Sequence, residues 1–167
     1  MPPTGGASYV GFVKTLLDQI EAARSAGEAS TASLASFLAA LLEKLGCVVG
    51  TLHRLNPESQ MLELVVQQGL PDSLLATVAT IPIGKGMAGL AAERRQPVQV
   101  CNLQTGTSGD ARPGAKATGM EGSIATPIIV AGELRGTLGV AKPIAYEFSS
   151  EEIRDLKAIA CALADLI

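Results

Sequence analysis

The run Ile81-Pro82-Ile83-Gly84-Lys85-Gly86-Met87-Ala88-Gly89 constrains this chain more than any other stretch. A short apolar strand enters a turn with glycines at 84, 86 and 89. A small-residue helix over Leu90 to Arg95 follows, and Pro97-Val98-Gln99-Val100 resumes extended structure. Glycines placed this way let the backbone take positive φ and come close to another element. The helix they open has first N–H groups that point outward, ready for a ligand or a cap.

The elements around this turn follow from periodicity. Tyr9 to Ala26 reads as a helix with Val10, Val13, Leu17 and Ile20 on one stripe, ended by Gly27. Ser30 or Thr31 caps a second helix whose broad apolar face carries Leu34, Phe37, Leu38, Leu41, Leu42 and Leu45, with Gly46 as its stop. From Val48 to Leu55 the period falls to two, placing His53 with Thr51 and Leu55 and against Leu52 and Arg54. Asn56-Pro57-Glu58-Ser59 is turn chemistry, and the next strand alternates Leu62, Leu64 and Val66 against Glu63, Val65 and Gln67. Gln104 to Gly122 holds five glycines and one large apolar side chain, Met120, so it reads as a long loop. Ser149 and Glu152 have capping-box spacing. Ile153, Leu156, Ala160, Leu163 and Ile167 then form a three-four stripe. The chain ends inside this helix without a glycine cap, which fits a helix that continues beyond Ile167.

Composition narrows the function classes. At 167 residues and 47% hydrophobic the chain can bury a real core. A net charge of −3 offers no general attraction to nucleic acid or anionic membrane. No apolar span of about 18 residues runs free of charge, and the N-terminus lacks a basic region leading into an apolar one. The expectation is a cytoplasmic protein without nucleic-acid or membrane partners. Cys47, Cys101 and Cys161 are scattered and odd in number, which fits small buried hydrophobes better than a disulfide framework. A closed zinc site needs about four ligands, and His53 is the one histidine, so no metal is expected.

The order of strand, glycine turn, small-residue helix and proline-led strand resembles the signature stretch of GAF domains, the small-molecule sensing modules of signalling proteins. The resemblance runs from about Leu34 to the C-terminus. Val48 to Leu55 and Met61 to Gly69 look like that family's first hairpin, followed by Gly69-Leu70-Pro71. Ser123 to Ile128, the turn at Ala131-Gly132-Glu133, and Leu134 to Ala141 resemble its final strand pair.

That resemblance implies an α+β, layered α/β/α fold of the GAF/PAS-like kind. It has a central antiparallel sheet of five to six strands, with the N- and C-terminal helices on one face. A ligand pocket lies on the other, under short helices and the loop. Residues 1–30 would form an N-terminal helix and connection that packs with the C-terminal helix, and residues 31–167 the GAF domain. The implied role is a non-catalytic sensor that binds a small, partly anionic molecule and signals through its terminal helices, which pair in a homodimer. Candidate ligand contacts are Gly86, Met87 and Leu90 on the turn and helix; Cys101; Arg112, Lys116 and Met120 in the loop; and Ser123 and Thr126 on the strand. No cofactor is specified by these residues.

Sharper chemistries within the family fit less well. Cyclic-nucleotide-binding members carry an Asn-Lys pair where this chain has Ala141-Lys142, and Glu151-Glu152 fall one residue early after Phe148. Free methionine-(R)-sulfoxide reductases resemble GAF domains and use cysteines in the glycine turn and the lid. Here the turn has Ala88, and no cysteine lies between Asn102 and Ala160. Bilin attachment lacks its lid cysteine for the same reason, and haem would have His53 alone as a histidine ligand. No Ser-His-acid or paired-carboxylate spacing stands out. The competing reading is a module that binds nothing and serves to dimerise.

Overall fold

The computed structural model describes residues 6–105 and 117–167. Two helices lead, α1 (Gly6–Ser25) and α2 (Thr31–Leu45), followed by the hairpin β1 (Val49–Asn56) and β2 (Met61–Gln68). Next come α3 (Asp72–Val78), β3 (Thr80–Pro82), α4 (Gly86–Arg94) and β4 (Val98–Val100). The hairpin β5 (Gly122–Val130) and β6 (Glu133–Lys142) precedes α5 (Ser150–Leu163) and a short 3-10 turn, Ala164–Leu166. The sheet is six-stranded and antiparallel throughout, in the order β3-β2-β1-β6-β5-β4. Helices α1, α2 and α5 cover one face, and α3 and α4 lie over the other.

Register decides what each face presents. On the helix side the central strands align Gly50–Val140–Ile124, Leu52–Leu138–Thr126 and Arg54–Gly136–Ile128. Ile124, Ile128, Leu52, Leu138 and Val140 join Leu38, Leu42, Leu156 and Ile159 in the main core. A β-carbon on Gly50 would stand 2.9 Å from the methyls of Leu38 and Leu42, so α2 lies directly on that strand. On the opposite side the rows are Val49–Ala141–Ser123, Thr51–Gly139–Ala125 and His53–Thr137–Pro127.

Local signals place the helix ends. Ser30 caps α2 by accepting from the Ser33 N–H at 3.1 Å, and Gly46 ends that helix at φ +68°. Ser149 caps α5, with the Glu152 carboxylate accepting from the Ser149 N–H at 2.8 Å and Ser149 Oγ from the Glu152 N–H at 3.2 Å.

Three details depart from the sequence reading. Val10 is 59% exposed, and the buried stripe of α1 is Val13, Leu16, Ile20 and Ala23, because α1 meets α5 one residue round from the expected face. A bulge opposite Leu52/His53 pairs Leu52 with Val66 and His53 with Leu64, so Leu64 and Val66 fall on opposite faces. Cys101 and Cys161, read as small buried hydrophobes, are exposed, whereas His53 is 1% exposed.

Removing the α5 cap by Ser149→Ala should lower unfolding free energy by about 1 kcal/mol. Urea denaturation checks this, with an unchanged m-value showing that the fold itself is kept.

Candidate functional site

The site grows from the glycine turn. Gly84 and Gly86 take φ +87° and +63°. The Gly84 N–H reaches back to the Gly89 carbonyl at 2.8 Å, and the Lys85 N–H donates to Pro82 O at 3.1 Å. A β-carbon at Gly89 would sit 2.4 Å from Pro82 O, so glycine is what lets α4 fold this closely onto the end of β3. Among the described residues no side chain caps α4. The Gly89 N–H is taken by Lys85 O at 3.1 Å, while those of Gly86, Met87 and Ala88 have no acceptor among the described residues.

Beside this turn lies a cavity of about 410 Å³ between the sheet and the overlying α3 and α4, with the edge strand β3 along one side. Its floor is the pair of rows Val49–Ala141–Ser123 and Thr51–Gly139–Ala125. Leu74, Thr77 and Val78 of α3, Thr80, Ile81 and Pro82 of β3, and Lys85 to Ala88 wall it, with Leu103 and Thr118 at the far side. The lining is overwhelmingly apolar, and Lys85, exposed at the turn, is its one charged side chain among the described residues.

Of the residues expected from sequence, Gly86, Met87 and Ser123 lie in this lining. Leu90 packs with Met87 against the satellite cluster of Ala91, Val98 and Ala125, outside the cavity. Cys101 is exposed and outside the lining, its carbonyl accepting from the Tyr146 N–H at 3.0 Å. Met120 is outside it too, its carbonyl taking the Gln104 side-chain amide at 2.7 Å. Thr126 requires correction: it shares the face of Ile124 and Ile128 and is buried under the helices, because alternation turns it away from Ser123 and Ala125. Arg112 and Lys116 lie outside the described residues. The α3 wall was missed from sequence. Its signal, Asp72-Ser73-Leu74-Leu75 after Pro71, is a short helix start that periodicity alone does not aim at the cavity.

The ionisable groups near the site are structural in character. His53 Nε2 lies 2.9 Å from the Val78 carbonyl, which can only accept, so Nε2 carries the hydrogen and Nδ1 is bare. Burial lowers the pKa of this imidazole below its ordinary 6.5, against the smaller raising effect of that hydrogen bond. The bond ties the C-terminal end of α3 to the sheet. None of the three thiols lines the cavity. Cys47 is in the helix-side core, where burial pushes its thiol up to about 12, and Cys161 is exposed, donating to Ile129 O at 3.3 Å. Among the described residues, no group of His, Cys, Asp or Glu could hold a metal ion, and no helix is long and apolar enough to cross a membrane.

With this geometry in place, a family model described as GAF domain matches residues 28–167. The fold is similar to the GAF domain of a phosphoenolpyruvate-protein phosphotransferase from Coxiella burnetii, at 24% identity and TM-score 0.75, over 91% of this chain and 90% of that one. It is similar to the GAF domain of the Acinetobacter phosphoenolpyruvate-protein phosphotransferase, at 16% identity and TM-score 0.76, over 96% and 93%. It is also similar to free methionine-R-sulfoxide reductase from Neisseria meningitidis in complex with its substrate, at 23% identity and TM-score 0.73, over 92% and 87%. No curated protein matches the chain significantly in sequence.

Two outcomes test the site. Among the described residues the buried Thr126 hydroxyl has no partner, so Thr126→Val should raise unfolding free energy by about 1 kcal/mol in urea titrations. For His53, the unfolded chain binds its proton more readily than the folded one. Stability should therefore be full above pH 6.5 and fall as pH drops through 6.5 towards the lower folded value. His53→Gln removes the sole imidazole, and the component of the urea midpoint's pH dependence that centres near pH 6.5 should vanish with it.

Proposed function

Since the chain belongs to the GAF-domain family, we propose that it is a cytoplasmic, non-catalytic sensor of a small molecule, taken in the cavity beside the glycine turn. The observation that carries this is the cavity itself: about 410 Å³, apolar, walled by two short helices and a strand, within the roughly 300–1,000 Å³ of ligand sites. An anionic end on the ligand is favoured by Lys85 and by the first-turn N–H groups of α4. Against a sulfoxide reductase stands the placement of the thiols, none of which faces the cavity.

Output is a population shift passed to the terminal helices. The route is supported by contacts at the end of β6. Ala141 lines the cavity, and the next residue, Lys142, is buried with its ammonium 3.7 Å from the centre of the Tyr146 ring. The Tyr146 hydroxyl donates to Glu152 Oε1 at 2.8 Å, and Glu152 is part of the α5 cap. Burial, followed by that bond, pushes the Tyr146 phenol up to about 12, so it stays a donor across the physiological range. Residues 1–30 would act as a helical arm on the unit formed by 31–167. Homodimer pairing would use the groove between α1 and α5, where Val10, Val13 and Leu17 face Glu151, Arg154 and Asp155.

Native mass spectrometry of protein purified without added ligand tests both parts. A non-covalent adduct on a dimer is expected. A dimer without adduct would favour the scaffolding role, and a monomer would remove the helix-pairing argument.

A further inference from the structure

We infer that the ligand is an arylalkyl carboxylate: a flat, fused-ring apolar body with one carboxylate on a short tether. This rests on the small-molecule reading of the cavity and names the class that fits it. The cavity floor carries the argument. Along β6, the middle strand of the floor, the residues facing the cavity are Gly139 and Ala141. Across the ladder their partners on β5 are Ala125 and Ser123. None of these residues carries more than one atom beyond a β-carbon, and Gly139 has none, so two of the three floor strands form a shelf at backbone height. Val49 and Thr51 on β1 rise along one side as a bank.

Larger apolar groups line the rest of the cavity: Met87 of α4, which packs on β5 and β6, Leu74 and Val78 of α3, and Leu103. A shelf opposed by branched and flexible side chains forms a slot. A planar ring system fills a slot with contact on both faces, whereas a flexible chain must lose more conformational freedom to do so. At about 410 Å³ the cavity is near the small end of ligand sites, which suits two fused rings and is too small for a tetrapyrrole.

The charged end follows from position. Lys85 stands at the turn where the cavity meets solvent, and it is the charged side chain of the described lining. A tether of one or two carbons would keep the rings on the shelf and carry a carboxylate out to that ammonium. The pair would be solvent-exposed and so modest in strength, a matter of several-fold in affinity.

Isothermal titration of the full chain with 2-naphthylacetate, 2-(2-naphthyl)ethanol, 2-(2-naphthyl)ethylamine and octanoate tests the class. Naphthylacetate should bind tightest, about fivefold over the alcohol, with the amine and octanoate weaker than either. Lys85→Gln should close the gap between acid and alcohol. Ala141→Leu, which raises the shelf, should abolish both, and Ser123→Leu serves the same purpose if that variant fails to fold. A Kd for the amine or octanoate equal to or tighter than that of naphthylacetate overturns the inference, as does naphthylacetate binding that survives a raised shelf. If no naphthyl compound binds at millimolar concentration, native mass spectrometry separates the failures. An adduct that disappears in Ala141→Leu means that the class is wrong and the cavity reading stands. Absence of any adduct means that both fall.

Discussion

The antiparallel ladder β5–β6–β1 sets the terms for everything else. Its register sends Leu52, Leu138, Val140, Ile124 and Ile128 to one face, and Gly139, Ala141, Ala125 and Ser123 to the other. Burying each of the large aliphatic groups contributes roughly 1.5–3 kcal/mol, so the three long helices must cover that side. The small residues opposite cannot fill the space under a second layer of helices. A cavity therefore forms beneath α3 and α4. Core and cavity are two consequences of one alternation.

The glycine turn holds the second layer at its proper height. Gly89 allows α4 to press against Pro82 O, and Gly84 closes the turn onto the Gly89 carbonyl. The His53 imidazole anchors α3 from below through Val78 O. Both anchors sit at the cavity's edge. Between these anchors α4 packs through Ala91, with Met87 and Leu90, on Val98 and Ala125.

The end of β6 joins the two layers. Lys142 follows directly on the cavity floor, and its ammonium is held over Tyr146 with Phe148 further off at 5.9 Å from ring centre. Tyr146 and Phe148 meet edge to face at 5.0 Å, and the Phe148 N–H donates to Gln99 Oε1 at 3.0 Å. A buried ammonium kept on aromatic faces is costly to displace. Ala141 on the floor is thereby linked to the cap of α5 through Lys142, Tyr146 and Glu152.

Much of the architecture was legible in the residues themselves. Gly46, Ser30 and the Ser149–Glu152 pair mark helix ends because caps act within one turn of chain. The glycine turn was legible because positive φ and close approach are local demands. Two-residue alternation likewise placed His53 beside Thr51. Contacts that depend on distant partners were not legible. The bulge that parts Leu64 from Val66 exists only in the pairing of β1 with β2. Alternation already sets Thr126 and Ser123 on opposite faces of the strand, but only the packing of helices on one face decides which is core and which is cavity. Sequence alone thus determined every element but α3, their order and the turn, since these rest on short-range backbone constraints. Tertiary structure alone decided which side chains line the cavity, because that depends on the register of strands far apart in the chain and on where α3 comes to rest.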